Sequence, residues 1–208
     1  MNRERWLALM RVLGFPANAD TFDALCAAYA QQHRHYHTAE HVQACLYHLD
    51  TCARQAERPA EIELALWFHD AIYQPLSNNN EARSAAWCAE FLQANAAAPD
   101  VAERLRRLIM ATQHDVAPQT RDESLLLDID LAILGADAAA YAQFEAAVRK
   151  EYRIVPMLVY RKKRVAVLNG FLQRTHIYLN QPFQAEREQQ ARANLAHAIL
   201  QLSSRNPA

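Results

Sequence analysis

The sequence predicts an all-α protein, and three observations carry that reading. Glycine is nearly absent, at 3 in 208 residues, whereas sandwiches, barrels and doubly wound sheets consume glycine at their turns. Apolar residues recur at the three- and four-residue spacing of a helix face, and no stretch alternates as a half-buried strand does. Start and stop signals bracket the apolar segments in turn.

Residues 3–14 read as a first helix that Gly14 ends, and 20–32 as a second. His33-Arg34-His35-Tyr36-His37 is a polar connection, and Thr38 offers a hydroxyl to cap a helix reaching 55. Pro59 suits a first turn, where no amide donor is needed, and opens a helix over 61–73 with Ile62, Ala65, Leu66 and His69 on one face. Residues 74–80 form a loop, Asn80 caps a helix over 81–95, and Pro99 opens another ending near 113. Helices over 124–134, 138–153, 156–172 and 184–202 complete the chain. No repeat, low-complexity tract or linker divides it, so one domain over 1–208 is expected.

Composition excludes several classes of function. A net charge of −1 gives no global basic field for nucleic acid or anionic lipid. No two glycines lie close enough to build a phosphate-cradling loop. Cys26, Cys45, Cys52 and Cys88 form no CxxC pair and read as reduced core thiols. Glu4 and Arg11 spoil a signal peptide, and no apolar run nears the ~18 residues of a membrane span. A cytoplasmic protein with no membrane partner is the expectation.

Nine histidines are the unusual number. His37 and His41 stand four apart at a helix start, so both rings address one side of it. Leu66-Trp67-Phe68-His69-Asp70 ends an apolar run in an adjacent imidazole and carboxylate, and Leu125-Leu126-Leu127-Asp128-Ile129-Asp130-Leu131 sets acids inside another. Burying such groups is costly unless something compensates, and a cation does so. Two imidazoles and two carboxylates make a mixed nitrogen and oxygen site with positions left for water. Read singly, these are ordinary capping, surface or hydrogen-bonded structural residues; their order along one helical chain gives them force.

That order, H…HD…D, resembles the HD-domain superfamily of metal-dependent phosphohydrolases over residues 30–135. Tyr36-His37…His41, Trp67-Phe68-His69-Asp70, Asn80-Glu81…Ser84-Ala85, Ala111-Thr112…His114, Asp128-Ile129-Asp130-Leu131…Leu134-Gly135 and Glu151-Tyr152 are similar to one bacterial branch of it. The resemblance implies a compact bundle of nine or ten helices, with a metal-site core over 30–135 and the C-terminal helices packed on it. It implies one divalent metal ion (Mn, Fe, Co, Ni, Zn or Mg), held by His41, His69, Asp70 and Asp130. Asp130 is preferred to Asp128 because Ile129-Asp130-Leu131-Ala132 is closer to the family's last-ligand context.

The same resemblance makes His37 a proton donor and His114 a second-metal ligand or phosphate contact, unless His114 is simply a solvated helix-end residue. Asp70 would also steer the attacking water. Glu81, Tyr36, Tyr160 and Arg164 are candidate substrate contacts. Arg164 belongs to a basic run over 149–164 whose lysines, Lys162 and Lys163, read as a solvated face. The implied activity is hydrolysis of a phosphoester or phosphoanhydride in a small nucleotide-like substrate by a metal-activated water. A long nucleic acid is a poorer substrate for so neutral a chain. The alternative is a non-catalytic nucleotide-binding regulatory module on the same scaffold. Metal-dependent oxidation needs further paired histidines that the sequence lacks. The last helix suits a domain cap or a dimer contact, so homo-oligomers stay open.

Overall fold

The computed structural model describes residues 1–204, which hold ten α-helices and no strand. The all-α expectation is thus met. The chain divides into two compact units, Met1–Asp130 and Leu131–Ala208. The near-neutral total conceals a split: the first unit has 18 acidic and 11 basic side chains, the second 5 acidic and 11 basic.

The first unit comprises α1 (Arg3–Leu13), α2 (Ala19–Tyr29), α3 (Ala39–Cys52), a 3₁₀ turn (Ala53–Gln55), α4 (Pro59–Phe68), α5 (Asn80–Ala94), α6 (Pro99–Ala111) and α7 (Arg121–Asp130). Gly14 ends α1 at φ 74°, a conformation it adopts without a Cβ penalty. Thr38 caps α3 by accepting from the Glu40 amide at 3.3 Å, and Pro59 and Pro99 sit in the first turns of their helices.

The central element is α4. Ile62, Leu64, Ala65, Leu66, Trp67 and Phe68 are all buried, so the helix is apolar on every side and is packed by α1, α3, α5, α6 and α7. Trp6 meets the Trp67 ring edge-on at 5.4 Å, with Phe22 and Phe91 beside it. Each such side chain contributes about 1.5–3 kcal/mol on leaving water. The start of α4 is fixed from a distance, because the Asp122 carboxylate on α7 accepts from the Glu57 and Arg58 amides at 2.8 and 3.0 Å.

Two boundaries differ from the sequence reading, for physical reasons. The helix read as 61–73 stops at Phe68, because the carbonyls of Asp70 and Ala71 accept from Arg34 instead of continuing the helical ladder. Asn80 is the first residue of α5 rather than its cap, and its side chain bonds the amide and carbonyl of Gln74, closing the loop between α4 and α5.

The second unit begins with a 3₁₀ segment (Leu131–Gly135), followed by α8 (Ala138–Glu151), α9 (Met157–Leu172) and α10 (Gln181–Ser204). Asp137 caps α8 by accepting from the Ala140 amide. Asn194 of α10 donates to the Leu134 and Ala136 carbonyls, and the Tyr178 hydroxyl donates to the Leu131 carbonyl. These bonds hold α10 so close to the 3₁₀ segment that a Cβ on Gly135 would stand 2.6 Å from the Arg187 Cβ. Among the described residues no helix is long and apolar enough to cross a membrane. All four cysteines are free thiols, and Cys45, Cys52 and Cys88 are buried.

Candidate metal centre

Three helices of the first unit bring their ends to one point. His41 stands in the first turn of α3, His69 and Asp70 follow the last residue of α4, and Asp130 ends α7. His41 Nε2 lies 3.1 Å from His69 Nε2 and 3.2 Å from Asp130 Oδ1. Asp70 Oδ2 lies 3.1 Å from His69 Nε2 and 3.6 Å from His41 Nε2. His69 Nε2 and Asp130 Oδ1 are 3.6 Å apart. Donors about 2.1 Å from a common ion stand about 3.0 Å apart in an octahedron and about 3.4 Å in a tetrahedron. The observed spacings fall in the range of such edges; His41, His69 and Asp130 form the group whose donor atoms lie together, and Asp70 stands beside its two imidazoles.

The tautomer of His69 also fits. Its Nδ1 lies 2.9 Å from the Leu66 carbonyl, an acceptor, so when the ring is neutral its proton resides there and the Nε2 lone pair faces the other donors. The corresponding nitrogen of His41 lies 3.7 Å from the buried Cys45 Sγ. Both imidazoles are buried at 4% and 1% side-chain exposure, while both carboxylates reach 15%, so the centre opens on its carboxylate side.

The charges are strongly coupled. Burial opposes a charged His69, yet the Asp70 and Asp130 carboxylates outweigh it and hold the imidazolium well above its ordinary range. Burial likewise works against ionised Asp70, and His69, His37 and His41 overcome it and hold its carboxyl low. Asp130 is held low against burial by His114, His41 and His69. Without an ion, a proton on His69 thus plays the part of the cation between two carboxylates.

The structure places several other sequence candidates at this centre. His114 Nε2 lies 3.3 Å from Asp130 Oδ2, and its backbone sits at φ 59°, a left-handed conformation uncommon outside glycine. The His37 ring stacks on Tyr73 at 4.0 Å, and Tyr36 lies 4.8 Å from the His41 ring. Of the two acids near the end of α7, Asp130 stands among the imidazoles, whereas the charge of Asp128 bears on Cys52. Glu81, in the first turn of α5, reaches Gln113 at 3.5 Å. Tyr160 and Arg164 belong to the second unit, where the Arg164 guanidinium bonds Glu145 at 2.6 and 3.1 Å over the Phe144 ring.

Sequence reasoning overlooked Arg34. This buried side chain donates to the carbonyls of His37 at 3.0 Å, Asp70 at 2.7 Å and Ala71 at 2.9 Å, between the rings of Tyr29 and Tyr73. It ties the connection before α3 to the loop after α4, and so sets His37 against Asp70. The only available signal was a lone cation inside an otherwise histidine-rich connection. His33, read as a loop histidine, meets the Tyr73 carbonyl at 2.8 Å, and Ser84 bonds the Ile72 amide at 3.0 Å. Both brace the same loop.

Fold and site together define an all-helical protein in which His41, His69 and Asp130 form a group that could hold a metal ion. No family model matches the chain, and no curated protein and no solved structure matches it either.

Proposed function

We propose that the chain is a metal-dependent phosphohydrolase of the HD-domain type, cleaving a phosphoester or phosphoanhydride bond in a small nucleotide-like substrate. The observation that carries this reading is the convergence of His41, His69, Asp70 and Asp130 at donor spacings of 3.1–3.6 Å. Two imidazoles and two carboxylates suit one divalent ion from the series Mn, Fe, Co, Ni, Zn and Mg. Bound there, the ion would supply an acidified water and a polarised phosphoryl oxygen.

The remaining roles fall to the chain's own side chains. Asp70 and Asp130 present the exposed edge of the centre, which is the side from which a phosphate approaches. His37, fixed by its stack on Tyr73 and coupled to Asp70, holds a proton for the leaving oxygen. His114 hydrogen-bonds the outer oxygen of Asp130 and is the second proton carrier at that edge. The Tyr36 ring beside His41 offers a face for a nucleobase.

The test is phosphate release from a nucleotide panel with added Mn²⁺, comparing the native chain with His37→Ala and Asp70→Ala. Turnover of a few nucleotides is expected, reduced about 100-fold or more in His37→Ala and abolished in Asp70→Ala. Metal-dependent nucleotide binding without product across the panel would instead support a regulatory module.

A further inference from the structure

The connection between α8 and α9 carries large apolar side chains into solvent. Ile154 on the turn is 71% exposed, and Leu158, in the first turn of α9, is 63% exposed. Met157 and Val159 on either side of Leu158 are exposed as well. A continuous surface run of this kind calls for a function. Its exposure is built into the turn rather than left to a loose loop. The Arg149 guanidinium donates to the Tyr152 and Val155 carbonyls at 2.5 and 3.1 Å and lies over the Tyr160 ring, which fixes the turn with Ile154 outward.

The charge around this tip has one sign. Residues 152–185 contain six basic side chains and no acid, so no carboxylate of that segment offsets them. Lys162 and Lys163 are exposed and stand four positions after Leu158 and Val159. Each ammonium thus lies one helical turn from an apolar group on the same side of α9. Lys150 and Arg153, just before the tip, are exposed too. Four of the unit's five acids are committed elsewhere: Glu145 to Arg164, Glu188 to Arg192, Asp137 to the cap of α8, and Glu151 to the interior. The near-zero total charge behind the expectation of no membrane partner averages over two units of opposite balance.

We propose that this tip is a docking surface for an anionic lipid bilayer, its aliphatic side chains entering the headgroup boundary while Lys162 and Lys163 meet the lipid phosphates. The lysine stems extend along the apolar groups and carry their charges to the headgroup level. No helix needs to cross the bilayer in this mode. A second copy presenting the same tip would bring like charges together, which disfavours it as the occupant. A nucleic acid is met by aromatic platforms, and the exposed groups here are aliphatic. The inference does not rest on the metal centre.

The experiment is co-sedimentation of the full chain with vesicles of phosphatidylcholine, alone or with about 30 mol% phosphatidylglycerol, beside analytical ultracentrifugation of the free chain. Anionic vesicles should bind at least about tenfold tighter than neutral ones, and about 0.5 M salt should remove most of that difference. Lys162→Glu combined with Lys163→Glu should weaken binding at least about tenfold. Leu158→Ser and Ile154→Ser leave every charge in place, and each should weaken it at least about threefold. Should Leu158→Ser fail to melt cooperatively, Ile154→Ser on the exposed turn carries the apolar half of the test. Equal affinity for neutral vesicles, no binding to either kind, or affinity unchanged in the serine variants would each overturn the proposal. So would a dimer that Leu158→Ser dissociates without vesicles, since a second copy would then be the occupant.

Discussion

The guanidinium of Arg34 donates to the main-chain carbonyl of Asp70 at 2.7 Å across 36 positions of sequence, and through its other bonds to His37 and Ala71 it joins two loops of the candidate metal centre. An ammonium cannot span three carbonyls in one plane as a guanidinium does. Arg34→Lys is therefore expected to cost about 1–3 kcal/mol by urea denaturation and to lower metal affinity about tenfold. Unchanged metal affinity would show that Asp70 is positioned without Arg34.

The pH dependence of the fold should reverse when metal is added. Asp70 and Asp130 are held below their ordinary value of 3.8, so their contribution is present above that value and lost as pH falls through the depressed range. His69 is held above its ordinary value of 6.5, so its contribution is complete below 6.5 and lost as pH rises through the elevated range. The ion-free chain is thus expected to lose stability toward alkaline pH. The metal-loaded chain should gain it, because ligation requires a neutral His69. Thermal melts from pH 5 to 9, with and without Mn²⁺, check both slopes.

Metal uptake near neutral pH should release close to one proton, the one that His69 shares with its two carboxylates in the ion-free state. Calorimetry in two buffers of different ionisation enthalpy measures it directly. Uptake without proton release would mean that His69 is already neutral.

Two glycines of the second unit should respond in opposite directions. Gly135→Ala brings a Cβ to 2.6 Å from the Arg187 Cβ and 2.8 Å from its carbonyl oxygen. Neither is a flexible tip, so a loss of about 1–3 kcal/mol is expected. Gly170 lies exposed within α9 with nothing within 4 Å of the added carbon, and Gly170→Ala should stabilise by about 0.5–1 kcal/mol. Chemical denaturation of the pair separates close packing from helix propensity.

These cases show what was legible in the sequence. His41 stood out because it stands four residues after His37 at a helix start, and His69 and Asp130 because each interrupts or ends an apolar stretch, where a polar group needs a reason. The end of α4 at Phe68 was not legible, since the competing donor, Arg34, comes from 34 residues before it. Asn80 looked like a cap because its local chemistry suits one, but its tertiary partner is Gln74. Arg164 read as a substrate contact within a basic run, and only the packing of α9 against Glu145 of α8 shows its guanidinium engaged there.

The central claim is that His41, His69, Asp70 and Asp130 hold one divalent cation. The measurement that tests it most directly is elemental analysis of the chain after dialysis against a mixture of first-row divalent metals, beside Asp130→Asn and Asp128→Asn. About one ion per chain, lost in Asp130→Asn and kept in Asp128→Asn, is the predicted result. Full occupancy in Asp130→Asn, or no retained metal in the native chain, would contradict the account.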